Sequence, residues 1–209
     1  MPTILLTGFG PFPGSPLNPT GPLVEQLARQ RRPGLAGTKL IAHVFPTSYA
    51  AVDRDLPELI AKYKPDALLM FGLAPRARFL RIETRARNAV GILPDAGGTA
   101  LRRHAIAAAE PAALALPAPA RQLLAAARAT DLPAALSRDA GRYLCNYLCW
   151  RVAEAVSENG PRLAAFIHVP PVRRGPVPWA RAKRRAFAPA DLARAGARLV
   201  MVIAAALRR

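Results

Sequence analysis

Cysteine is scarce in this sequence of 209 residues: only Cys145 and Cys149 occur, four positions apart and without a matching pair of histidines. That spacing suits neither a disulfide framework nor a zinc site, so a reducing compartment and free thiols are expected. Acidic residues are also few, 13 Asp and Glu against 30 Lys and Arg, for a net charge of +17. Lysine is confined to positions 39, 62, 64 and 183, which leaves the positive charge almost wholly to arginine. Such a balance attracts acidic molecules over a distance. Aromatic residues make up only 6%, and the basic clusters (Arg29/Arg31/Arg32, Arg102/Arg103, Arg173/Arg174 and Arg181 to Arg185) are scattered without interleaved aromatics. Nucleic acid is therefore disfavoured as a partner. Long apolar runs are missing: "LVMVIAAAL" (199–207) reaches about half of the roughly 20 residues a membrane span requires. The opening "MPTILLTGFG" has no basic region and too short an apolar region for a targeting segment. A cytoplasmic protein with no membrane partner is expected. An apolar fraction of 52% in a chain of this length supports one sizeable core, and residues 1–209 read as a single domain.

What is present alternates between strand and helix patterns. "TILLTGF" (3–9) is a short apolar run closed by turn residues and reads as a buried strand. Asn18 then suits a helix cap, with Pro19 at the first helical position and Leu23 and Leu27 at helical spacing, until Pro33-Gly34 stops the element. "KLIAHVFP" (39–46) predicts a second strand, Tyr49 to Lys62 a helix, and "PDALLMFGLA" (65–74) a strand apolar on both faces, as in a parallel sheet covered by helices. In 78–89, Leu80, Ile82, Thr84 and Ala86 alternate with Arg81, Glu83, Arg85 and Arg87, the pattern of an edge strand or hairpin arm with one ionic face. Residues 91–120 are rich in Ala, Pro and Gly and carry no clear element. Helices follow over 120–129 and from about Gly141 to Asn159, then a strand over 162–170 and a closing helix over 188–207. No internal repeat is present. The order implies an α/β protein, a three-layer α/β/α sandwich around a mostly parallel sheet.

The turn "GFGPFPG" (8–14) after the first strand invites comparison with a dinucleotide-binding loop. Gly8 and Gly10 fit that fingerprint, but Pro13 stands where its third glycine belongs, and Pro11 and Pro13 have no N–H to offer a phosphate. A rigid loop presenting Phe9 and Phe12 at a strand end is the better reading. Ligands in open α/β sheets bind beyond the carboxyl ends of the strands, and here those ends carry Phe9, Phe71-Gly72-Leu73 and His168. Cys145 lies in the first turns of its helix, where free N–H groups and aligned peptide dipoles suit a nucleophilic sulfur. Cys149 sits one turn deeper and reads as a buried, inert thiol. A strand-end His168 can serve as base for a helix-start thiol, whereas His43 and His104 have no such company. Glu83 can fix the His168 tautomer, although Arg81 and Arg85 flank it and offer simple ion pairs instead.

These residues carry a family likeness. "TGFGPFPG" with "NPT", Glu83 followed five residues later by Asn88, "LPD" (93–95), "AGRYLCN" (140–146) and "FIHVP" (166–170) occur in an order that resembles the pyroglutamyl peptidase I family, the pyrrolidone-carboxylate peptidases. The resemblance implies an α/β/α cysteine peptidase with no metal or organic cofactor. The implied substrates are small peptides with a blocked, pyroglutamyl N-terminus, and the implied assembly is a homo-oligomer. It places Cys145 at the nucleophile, His168 at the base and Glu83 at the orienting acid, with Phe9, Phe12, Asn18, Leu73, Tyr143 and Leu144 as substrate-binding positions. Leu73 stands where the family usually has a glutamine whose amide addresses the lactam. Thr84 replaces an arginine, and no arginine precedes "LPD". Two other readings accompany this one: a family member without turnover that acts as a binding protein, and an arginine-rich protein associated with nucleic acid.

Overall fold

The structure is a computed structural model, and residues 1–12, 14–158, 160–173 and 187–209 are described. Arg174 and the basic run at 181–185 lie outside the described residues. Six strands form the main sheet: β1 (Thr3–Phe9), β2 (Lys39–Phe45), β3 (Ala67–Leu73), β4 (Leu80–Glu83), β7 (Ala134–Ser137) and β8 (Leu163–Val169). Two further strands, β5 (Arg85–Arg87) and β6 (Ala113–Ala115), pair with each other. The helices are α1 (Thr20–Ala28), α2 (Tyr49–Tyr63), α3 (Ala120–Arg128), α4 (Leu144–Ser157) and α5 (Pro189–Leu207).

The main sheet has the order β2-β1-β3-β8-β4-β7, and every pairing is parallel except β4 against β8. Strands β1 and β3 are buried along their whole length. Their alternate residues therefore enter two cores, because successive side chains of a strand point to opposite faces. Ile4, Leu6, Leu69, Phe71 and Ile167 pack with α1, α3 and α5, while Leu5, Leu68, Met70 and Phe166 pack with α2 and α4. This is the expected three-layer sandwich. Among the described residues no helix is long and apolar enough to cross a membrane.

Several local expectations are corrected. The 78–89 segment divides in two: β4 lies inside the sheet, and β7, a short strand that the sequence pattern did not signal, takes the edge. The remainder is β5, the arm paired antiparallel with β6. Helix α1 begins at Thr20 and not at Pro19, and it ends at Ala28, with a separate single turn of 3-10 helix at Pro33–Leu35. Helix α4 begins at Leu144, because Gly141 takes a left-handed φ of +87° and Tyr143 is extended. The later part of the poorly patterned stretch before β6 is tied down by Asn88. Asn88 Oδ1 accepts from the N–H groups of Ile106 and Ala107, and its Nδ2 donates to the Ala107 carbonyl.

Candidate active site

The first loop explains its glycines without a phosphate. A Cβ on Gly8 would stand 2.5 Å from the Thr20 carbonyl oxygen, so glycine there lets the start of α1 press against β1. The polar groups at this helix start are already engaged: Asn18 Oδ1 accepts from both the Thr20 N–H and hydroxyl, and Asn18 Nδ2 donates to the Gly10 carbonyl. Beyond it the loop closes on itself through Phe12 and Ser15, which exchange backbone hydrogen bonds.

Register brings the proposed triad positions together. His168 on β8 faces Gly72 of β3 on one side and Arg81 of β4 on the other. Glu83 lies two residues beyond Arg81 and so projects from the same face. His168 Nδ1 and Glu83 Oε1 are 2.7 Å apart, with both side chains buried. Burial pushes the Glu83 carboxyl pKa up, but the hydrogen bond and charge of His168, with the Arg81 guanidinium, outweigh it and hold the carboxyl below its ordinary value. An ionised carboxylate can only accept, so Nδ1 carries the proton and Nε2 is left for another partner. Arg81 does pair with Glu83, as the flanking charges suggested, with Nε at 3.1 Å and Nη2 at 3.0 Å from the same Oε1. The ion pair adds to the histidine contact and does not replace it.

Cys145 arrives from the helix layer above this face. A Cβ on Gly72 would meet its sulfur at 2.7 Å and the Phe166 ring at 2.6 Å, which sets Sγ directly over a residue that neighbours His168 in the sheet. Burial by itself would lower the His168 pKa, but the charge and hydrogen bond of Cys145, with those of Glu83, raise it to about 9. Cys149 is fully buried, and burial pushes its thiol well above the ordinary value. His43 is engaged elsewhere, its Nε2 lying 3.2 Å from Asp55 Oδ2.

The start of α4 is held from three directions. Asn146, fully buried, accepts from the Arg87 N–H and donates to the carbonyls of Arg87 and Ala89. Gly91 donates to the Arg142 carbonyl, and the Tyr143 hydroxyl donates to the Pro94 carbonyl. Asp95 of the "LPD" segment in turn accepts from the N–H groups of Tyr49, Gly97 and Thr99. Gly72, Asn146 and Arg81 were not singled out as site residues by sequence reasoning. Asn146 was within reach of it, since it follows Cys145 in "AGRYLCN".

A cleft of about 590 Å³ opens at this point, and Phe12, Leu73, Tyr143, Cys145 and His168 line it together with Arg81 and Leu93. Phe9 and Leu144 do not line it: both are buried in the core shared with α2 and α4, where Phe9 meets Phe45 at a ring distance of 6.0 Å. Asn18 acts on the first loop, as described above, and not on the cleft wall. Among the described residues no group of three His, Cys, Asp or Glu side chains is placed to hold a metal ion.

The sequence profile of the pyroglutamyl peptidase family matches residues 2–179. Pyrrolidone-carboxylate peptidase 1 of Ralstonia nicotianae is 32% identical over 172 residues, covering 81% of this chain and 79% of the relative. The pyrrolidone-carboxylate peptidase of Deinococcus radiodurans is 32% identical over 194 residues, covering 86% and 87%. The solved structure of the Thermococcus litoralis pyrrolidone carboxyl peptidase superposes with a TM-score of 0.86 at 26% identity, over 97% of this chain and 94% of that one. That of Bacillus amyloliquefaciens pyroglutamyl peptidase I superposes with a TM-score of 0.83 at 26% identity, over 98% of each chain. The matched stretch takes in the whole cleft with its thiol, imidazole and carboxylate, and the chain belongs to the pyroglutamyl peptidase family.

Proposed function

We propose that this protein is a cysteine peptidase that removes an N-terminal pyroglutamyl residue from peptides, with Cys145 as nucleophile, His168 as base and acid, and Glu83 as the group that orients the imidazole. The observation that carries the reading is the 2.7 Å contact between His168 Nδ1 and an ionised Glu83, at the edge of a cleft that also contains Cys145. His168 Nε2 takes the thiol proton, and the sulfur adds to the acyl carbonyl to form a C–S bond. Backbone N–H groups in the first turn of α4 have no acceptor inside the helix and stabilise the developing oxyanion. As the intermediate collapses, the C–N bond breaks and His168 returns the proton to the departing amine. Water, deprotonated by the same imidazole, then hydrolyses the thioester.

Phe12, Tyr143 and Leu73 provide flat and apolar walls that suit an uncharged lactam ring. The 209 residues act as one domain in this reading, since the strands that carry the site all belong to one sheet. A binding protein without turnover would not need an imidazole held in one tautomer beside a thiol, and the nucleic-acid reading gains nothing from this cleft. The test is hydrolysis of a pyroglutamyl-coumarylamide reporter by the wild type and by Cys145→Ala. Release of coumarin by the first and not by the second is expected; equal rates, or none from either protein, would remove the peptidase reading.

A further inference from the structure

The cleft has a neighbour that the lactam does not fill. A second groove, also of about 590 Å³, is lined by Ala74, Pro75, Arg76, Ala77, Arg78, Phe79 and Arg81. It shares Ala74, Pro75 and Arg81 with the catalytic cleft, so the two open side by side across a common rim.

Topology decides which half of a substrate meets this groove. Strand β8 lies between β3 and β4, so residues 74–79, which join β3 to β4, cross the carboxyl end of β8 where His168 sits. His168 delivers a proton to the departing amine, and the departing chain must therefore lie on the His168 side of the sulfur. That leaves the other walls of the cleft, among them Phe12, Leu93 and Tyr143, to the acyl ring. Leaving the cleft past His168, a peptide next meets Arg81, Arg76 and Arg78. Arg81 is committed to Glu83, Ser137 and Asp139. Arg76 and Arg78 are exposed, and among the described residues their guanidinium groups have no acidic or hydrogen-bonding partner. Exposed arginine forks without acids, beside the exit for the leaving chain, are suited to carboxylate recognition.

We propose that this groove is the subsite for the leaving peptide and that it selects chains bearing a carboxylate within the first residues after the scissile bond. The inference rests on the peptidase reading for its orientation. The carboxylate can come from an Asp or Glu side chain or from the C-terminus of a short peptide, and both present the same planar acceptor to arginine.

The test compares pyroglutamyl-glutamyl-alanine amide with its glutaminyl isostere, and pyroglutamyl-alanyl-alanine as free acid with its amide, at low and high ionic strength. At low salt the wild type is expected to favour the charged member of at least one pair by about fivefold in kcat/KM, which is about 1 kcal/mol and the upper range for exposed ion pairs. The first pair reports a side-chain source and the second a terminal one. Screening should shrink the ratio toward one at about 0.5 M salt, and Arg76→Gln/Arg78→Gln should abolish it at low salt. The same ratio is measured by calorimetric binding to Cys145→Ala, which needs no turnover. Cleavage of the coumarylamide reporter with ratios of one in both pairs overturns the subsite and leaves the peptidase reading standing, as does a preference that the double variant retains. A binding ratio of about five with no cleavage of any substrate overturns the peptidase reading and with it the leaving-chain assignment, and leaves a groove that binds carboxylates. Absence of both cleavage and binding overturns the two together.

Discussion

Gly72→Ala is the most direct probe of how the sulfur is seated. The new methyl carbon would stand 2.6 Å from Phe166 Cζ, 2.9 Å from Phe166 Cε1 and 2.7 Å from Cys145 Sγ. Heavy atoms of this kind rest roughly 3.5 to 4.0 Å apart, so the sulfur, the ring or both must retreat by about 1 Å. Phe166 is fully buried in the core shared with α4 and has little room to move, which directs much of the displacement into the first turn of that helix. Overpacking of this type costs about 1 to 3 kcal/mol, or a fall of roughly 2 to 4 °C in melting temperature per kcal/mol for a chain of this size. A reacting atom misplaced by about 1 Å costs on the order of a hundredfold in rate. The assay pairs kcat/KM on the coumarylamide reporter with the rate of Cys145 alkylation by iodoacetamide and with thermal melting. Gly10→Ala is the stability control, because its Cβ would meet nothing closer than the Phe45 carbonyl oxygen at 3.6 Å, and its melting temperature is expected to stay near that of the wild type. A Gly72→Ala protein with turnover and alkylation within twofold of wild type would refute the placement of the sulfur over β3.

Four other outcomes are expected. Iodoacetamide should label Cys145 and leave Cys149 untouched in the folded protein, since Cys149 is sealed in the core and its thiol is held protonated by burial; mass spectrometry of the digest reads the ratio. The His168 pKa of about 9 is raised by Cys145 first and then by Glu83, so NMR titration should find it lower in Cys145→Ala and in Glu83→Gln, and an unchanged value in both would break the link among the three groups. Because this folded-state value lies above the ordinary 6.5, the stabilisation it carries is fully present below about pH 6.5 and is lost as pH rises through about 9; the wild type should lose more stability than His168→Asn over that interval in thermal melts. Asn146→Ala leaves the backbone groups of Arg87 and Ala89 without their three side-chain partners. The Arg87 carbonyl keeps the Ala89 N–H as donor, so the loss falls on the Arg87 N–H and the Ala89 carbonyl; at about 1 kcal/mol for each, the variant should show a lower denaturation midpoint and weaker turnover.

Local pattern was enough for much of this protein. The apolar runs at β1, β3 and β8, the helical spacing of α2 and α5, and the order that makes a covered parallel sheet can all be read from the chain, because strand and helix periodicity reflect contacts within a few residues. The residues proposed for the chemistry, Glu83, Cys145 and His168, were equally visible as motifs. Facing and register were not. That Phe9 and Leu144 turn into the core while Phe12 and Tyr143 line the cleft depends on which side of the sheet α4 packs, and β4 sits inside the sheet only because β7, too short to declare itself, pairs along its outer edge. Gly72 is an unremarkable strand glycine until the fold lowers a sulfur onto it. Asn146 is an ordinary helix residue until β5 comes within reach of its amide. These contacts join residues far apart along the chain, and their geometry is set when the layers close, since only then do burial and hydrogen-bond demand choose one arrangement among those the local pattern allows.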